Sequence, residues 1–151
     1  MNTTTNTLTT VSLTQQQDYR FHIAFEAPVP PLVGDEPPPL GGAAGPSPVQ
    51  LLAASVGNCL SDSLLFALRK FKQAPEPIRT EVHAEVGRNP EGRLRVLGMR
   101  VDLHLGVSAT QLEHLQRVLD SFEQYCTVTQ SVAGSVPITL QVFDSSGQRL
   151  K

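Results

Sequence analysis

Tyr19, Phe21, Ile23 and Phe25 alternate with Arg20, His22 and Ala24, the two-residue period of a strand with one apolar face. With residues 7–14 before it and QQQD as the turn, the segment 19–26 predicts a β-hairpin. From Pro28 to Pro48 the pattern dissolves into PVPPLVGDEPPPLGGAAGPSP, too rich in proline and glycine for a helix or a central strand. This stretch reads either as an extended surface connector or as a stiff loop covering a site.

Ser47-Pro48-Val49-Gln50 has the form of a helix start: serine can cap, proline suits the first turn, and glutamine three residues on completes a capping box. The helix is expected to run to about Phe71, a length of about 35 Å. Leu51, Leu52, Val56, Leu60, Leu64, Leu65, Leu68 and Phe71 cover most of its circumference, the mark of a helix surrounded by protein. Strands are predicted at 80–87 and 93–106, joined by the turn RNPEGR. In the second strand Leu94 and Val96 give way to Met99, Val101, Leu103 and Leu105, a change of phase near Leu97-Gly98 that predicts a β-bulge. Ser108 to Gln111 repeats the capping-box pattern and opens a predicted amphipathic helix with Leu112, Leu115, Leu119 and Phe122 on one stripe. Cys126 follows its end, and a strand through Ile138, Leu140 and Val142 closes the chain.

Hairpins separated by helices predict an α+β fold in a single domain over residues 1–151. A long helix that is apolar nearly all round needs more cover than one sheet supplies, which favours an intimate homodimer.

The charged fraction is 17% and the formal net charge −2, with no basic stripe, so nucleic acid is not an expected partner. Aromatic residues make up 5% and tryptophan is absent, which argues against stacking platforms. The N-terminal segment MNTTTNTLTTVSLTQQQ has neither the basic nor the apolar region of a secretory signal. Only residues 51–68 resemble a membrane span, and Asp62 at the centre of a bilayer would cost about 2.5–3.5 kcal/mol. The expectation is a soluble cytoplasmic protein with no membrane partner, in a compartment where two cysteines remain free thiols or form a redox pair.

His22, His83, His104 and His114 are scattered without HxxxH or CxxC spacing, so no metal site is expected. GGAAG lacks the lysine of a phosphate-binding loop. No GxSxG is present, and no histidine lies beside either cysteine in sequence. Cys59 stands mid-helix, out of reach of the dipole that acts in a first turn. From the pattern alone it reads as a small buried hydrophobe or as a shielded reactive group. Burial by itself would raise its pKa, so reactivity would need a cation brought from elsewhere, most plausibly arginine.

GPSPVQLLAASVGNCLSDSLLFALRKF followed by FEQYCTVTQSVAGSVPITLQVFD resembles the two signature segments of the osmotically inducible protein C and organic hydroperoxide resistance (OsmC/Ohr) superfamily. The resemblance covers nearly the whole chain. It implies an intertwined homodimer in which antiparallel sheets wrap long central helices, with sites at the subunit boundary. It also implies a thiol peroxidase for organic hydroperoxides that needs no bound cofactor, only an external thiol or dithiol reductant. Cys59 would then be the peroxidatic thiolate, Cys126 the resolving thiol and Arg20 the thiolate activator. Arg20 alternates with the apolar row of its strand, so an exposed strand arginine is the other reading. The alternative function within this fold is a non-catalytic protein binding an apolar or acyl ligand at the dimer interface. Where the superfamily's peroxidases commonly carry a glutamate after the helix-starting proline, this chain has Val49, followed by the uncharged Gln50. Asp35 or Glu36 could stand in for it, although both read first as solvated loop acids. Ala133 also falls where many relatives carry a basic residue.

Overall fold

The structure, a computed structural model, describes residues 5–151. It comprises two compact units, one reaching to Leu51 and the other running from Leu52 to Lys151.

In the first unit β1 (Val11–Gln17), β2 (Arg20–Phe25) and β3 (Leu32–Gly34) form an antiparallel sheet in the order β1-β2-β3. The hairpin is present, but its turn is Asp18-Tyr19, with the glutamines inside β1. Asp18 supplies the positive φ (46°) of a tight turn, a conformation that Asp tolerates better than most residues. The proline-rich stretch is not wholly irregular. Its one proline-free run of hydrophobics, Leu32-Val33, adds an edge strand, the position where nearby prolines do least harm. The unit closes on the expected capping box: the Ser47 amide donates to Gln50 Oε1 at 2.9 Å and the Gln50 amide to Ser47 Oγ at 3.3 Å.

Helix α1 (Pro48–Lys70) carries Val56, Leu60, Leu64 and Leu68 at a four-residue spacing, each 0% exposed. This stripe shares one cluster with Val101 and Leu103, Val142, Phe122 and Cys126. The sheet beneath it is β4 (Arg79–Arg88), β5 (Leu94–His104) and β6 (Ile138–Phe143), with β5 central. Helix and sheet meet closely at Gly57, where a Cβ would lie 2.6 Å from Val82 Cγ2, and Ser61 and Thr80 hydroxyls join them at 2.6 Å. The predicted bulge falls on Leu97: Glu85 faces Gly98 and Val86 faces Val96. Wholly antiparallel sheets were expected, but β6 runs parallel to β5, because the chain returns to the sheet through a helical crossover.

α1 has the length and apolarity to cross a membrane, with mean hydropathy 1.5. In this fold its stripe is instead buried among the cluster residues just named. Its outer side is less covered than the all-round apolar pattern predicts, since Phe66 is 64% exposed.

The single helix expected from Gln111 to Phe122 is broken into a 3-10 turn (Ala109–Gln111), α2 (Leu115–Leu119) and a second 3-10 turn (Phe122–Tyr125). The break is at His114, whose φ is 58°. The Glu113 amide donates to Gln73 Oε1 at 2.9 Å, so a long-range bond satisfies it where a helical one would have been. α3 (Thr127–Val132) then leads towards β6.

Asp144, buried after β6, ties the crossover down. Its Oδ2 accepts the Ala109 amide at 3.0 Å, and its Oδ1 accepts the Ser146 amide and hydroxyl and the Gln148 amide. The Ala109 amide first, then the Ser146 hydroxyl, hold its pKa down to about 2 from 3.8, against the opposing effect of burial. A depressed carboxylate stabilises the fold in full above its unfolded pKa and loses that contribution as pH falls through the folded one. The melting temperature should therefore fall between about pH 4 and pH 2, and in Asp144→Asn this part of the slope should be absent.

Candidate functional site

Cys59 lies on α1 beside the buried stripe and is half-buried, while Cys126, immediately before α3, is fully buried; both are free thiols. Although 67 positions apart in sequence (126 − 59), the two share one apolar cluster, with Cys126 inside it and Cys59 packed against it, and the Cys126 thiol acts on that of Cys59. The Cys126 thiol in turn donates to Thr129 Oγ1 at 3.0 Å. α3 starts here because Cys126 leaves the chain extended (φ −79°, ψ 100°). The backbone amides of Val128 and Thr129, in the first turn of α3, act on the Cys59 thiol.

These neighbours act on the Cys59 thiol in opposite directions. Burial raises its pKa most, followed by the hydrogen bond with Cys126. The Val128 and Thr129 amides lower it, and the net shift is upward. In the dithiol state Cys59 is therefore held as a thiol. Conversion to the nucleophilic thiolate requires positive charge beside it.

A cleft of about 570 Å³ opens from Cys59 between α1 and the segment 117–127. Phe66, Phe71, Val118, Phe122 and Tyr125 give it apolar walls, in the size range of small-molecule sites. Neither His114, which strains the break before α2, nor Tyr125 at the cleft was singled out from the pattern; both depend on how the crossover folds.

Arg20 lies in the first unit, on β2, with its Nε 3.8 Å from Asp35 Oδ2. The reading of Asp35 as a solvated loop acid is corrected: it is 3% exposed. Its carboxylate accepts the Glu36 amide at 2.9 Å, the Gly42 amide at 3.2 Å and the Ala44 amide at 3.0 Å. The Ala44 bond is the strongest influence holding its pKa below the usual carboxylate range; burial opposes it and the Arg20 charge adds the smallest contribution. Only glycine fits at position 41, where a Cβ would fall 2.3 Å from Asp35 Oδ1. The proline-glycine loop is thus folded around one carboxylate, and that carboxylate is the anion facing Arg20. Nothing in the sequence separates such an acid from one in water, because its partners are backbone amides.

A family model described as OsmC-like protein matches residues 41–141. An OsmC-like protein of unknown function from Vibrio cholerae superposes with a TM-score of 0.78 at 15% identity, over 91% of this chain and all of the other. The organic hydroperoxide resistance protein of Elizabethkingia anophelis gives 0.70 at 17% identity, over 93% of this chain and 100% of that one. That of Bacillus subtilis gives 0.66 at 20% identity, over 88% and 97%. At these identities the likeness establishes the fold. No curated protein matches the chain in sequence.

Proposed function

The chain belongs to the OsmC-like protein family, and on that premise we propose that it is a homodimeric thiol peroxidase that reduces organic hydroperoxides. The observation that carries this reading is that Cys59 lines an apolar cleft while Cys126 lies in the buried cluster that Cys59 packs against. Some structural neighbours are named organic hydroperoxide resistance proteins, which supports it further.

In the first step the Cys59 thiolate attacks one peroxide oxygen. The O–O bond breaks, the alcohol leaves after taking up a proton, and Cys59 becomes a sulfenic acid. The Cys126 sulfur then displaces water to give the Cys59–Cys126 disulfide. A dithiol reductant, itself oxidised to a disulfide, restores both thiols by exchange. Arg20 is the cation proposed to favour the thiolate, with Asp35, its partner at 3.8 Å, standing in for the glutamate that Val49 replaces. Exposed Phe66 and half-buried Leu65 on α1 form apolar surface that a second copy would cover. The protein would work in the reducing cytoplasm, as part of defence against peroxide stress.

A second reading has its own support. The upward shift of the Cys59 pKa together with the cleft suits a protein that binds an apolar or acyl ligand without turning it over.

A brief stoichiometric pulse of cumene hydroperoxide on the reduced protein, read by intact mass, separates the two. The expected result is loss of two hydrogens, faster than with hydrogen peroxide. In Cys126→Ser the same pulse should add one oxygen instead, in a form trapped by a 1,3-dione. An unchanged mass in the unsubstituted protein would overturn the peroxidase reading and leave the binding one.

A further inference from the structure

The segment ahead of Cys126 is held from a distance by one ammonium group. The turn built on Asp144 folds residues 149–151 back along β6, with the Leu150 amide donating to the Val142 carbonyl at 2.7 Å and the Val142 amide to the Lys151 carbonyl at 3.2 Å. From there Lys151 Nζ donates to the Leu119 carbonyl at 2.6 Å, pairs with the Glu123 carboxylate and lies 5.7 Å from the Phe122 ring centroid. Leu119 is the last residue of α2, where a carbonyl has no helical amide ahead of it and a lysine is a suitable donor. Glu123 passes the hold on: its carbonyl accepts the Cys126 amide at 3.1 Å and Gln130 Nε2 at 3.0 Å. The contacts thus run without a gap from β6 through Lys151 and Glu123 to the main chain of Cys126 and to α3. Both charged side chains are 32% exposed, so salt and water screen the pair only in part.

We propose that Lys151 is a positioning residue for the thiol pair: by holding Leu119, Phe122 and Glu123 it sets Cys126 where it can close a disulfide with Cys59. Cys126 is 0% exposed, so packing leaves its sulfur little freedom beyond what its main chain allows. Closure in such a site depends on orientation set in advance. The inference deepens the redox reading above and rests on Cys59 and Cys126 being partners in one disulfide. Lys151 is not among the residues that line the cleft, so attack on peroxide at Cys59 should proceed without it.

A glutathione titration of the full chain tests this without any peroxide, so its failure is distinct from failure of the peroxidase reading. Two hydrogens pass from the two thiols to glutathione disulfide, which becomes two molecules of glutathione, and the equilibrium is read by intact mass after acid quenching. Lys151→Met keeps an unbranched apolar stem and removes the charge. It should lower the equilibrium constant for the protein disulfide about five- to tenfold, which raises the reduction potential by about 20–30 mV. Lys151→Arg, which can still donate to the carbonyl, should stay within about twofold of the unsubstituted protein. A merely structural role would lower the melting temperature of the dithiol and disulfide forms alike and leave the potential in place. Should Lys151→Met fail to fold, Glu123→Gln removes the ion pair from its other end and should shift the equilibrium in the same direction by about two- to threefold. An unchanged potential in either charge-removing variant, a shift in Lys151→Arg as large as that in Lys151→Met, or no Cys59–Cys126 disulfide at any glutathione ratio would overturn the proposal.

Discussion

Cys59→Ser is expected to lower peroxide turnover by roughly three orders of magnitude or more, the scale seen when a reacting group is removed from an enzyme. Oxygen replaces sulfur at the atom proposed to attack, and a serine hydroxyl is a much weaker nucleophile than a thiolate at neutral pH. The substitution is nearly isosteric at a half-buried position, so the melting temperature should move little. That separates a chemical loss from a structural one. Cys126 should stay reduced through the same peroxide pulse, because no sulfenic acid forms for it to meet. Peroxide consumption assayed with an excess of dithiol reductant gives the rate, and retained turnover would falsify the assignment of Cys59.

The largest effect on stability should come from Leu64→Ala, about 2–5 kcal/mol, read from urea unfolding midpoints at constant m-value. Leu64 is 0% exposed in the middle of the α1 stripe, flanked one turn away on each side by Leu60 and Leu68, which leave little room for the cluster to collapse into the cavity. The methylenes lost account for part of the cost and the void for the remainder. A change below about 1 kcal/mol would mean that α1 is not seated on its sheet as described.

What could be read from the chain followed from which interactions are local. The capping box at Ser47 and Gln50 is a contact across one turn, and it forms as predicted. The bulge at Leu97 was legible because an inserted residue inverts the apolar alternation, and no tertiary contact is needed to see that. The break at His114 was not legible, since the stripe Leu112, Leu115, Leu119 and Phe122 suits a continuous helix. Only the side chain of Gln73, forty positions earlier, claims the Glu113 amide. The site divides in the same way. Its two cysteines were given roles by resemblance, and their sharing of one buried cluster is a matter of topology. The anion facing Arg20 was named only as one of two candidates, Asp35 or Glu36, and read first as solvated, because Asp35 is held by amides of a loop whose turns no periodicity encodes.

Tyr125 has a use unconnected with binding or chemistry. The chain has no tryptophan and two tyrosines, so its near-ultraviolet emission comes from Tyr19 in the first unit and from Tyr125, 77% exposed at the cleft. Removing Tyr19 by phenylalanine would leave one phenol as the sole emitter. Filling of the cleft could then be followed as a change in intrinsic fluorescence, with no dye attached and no sulfur modified.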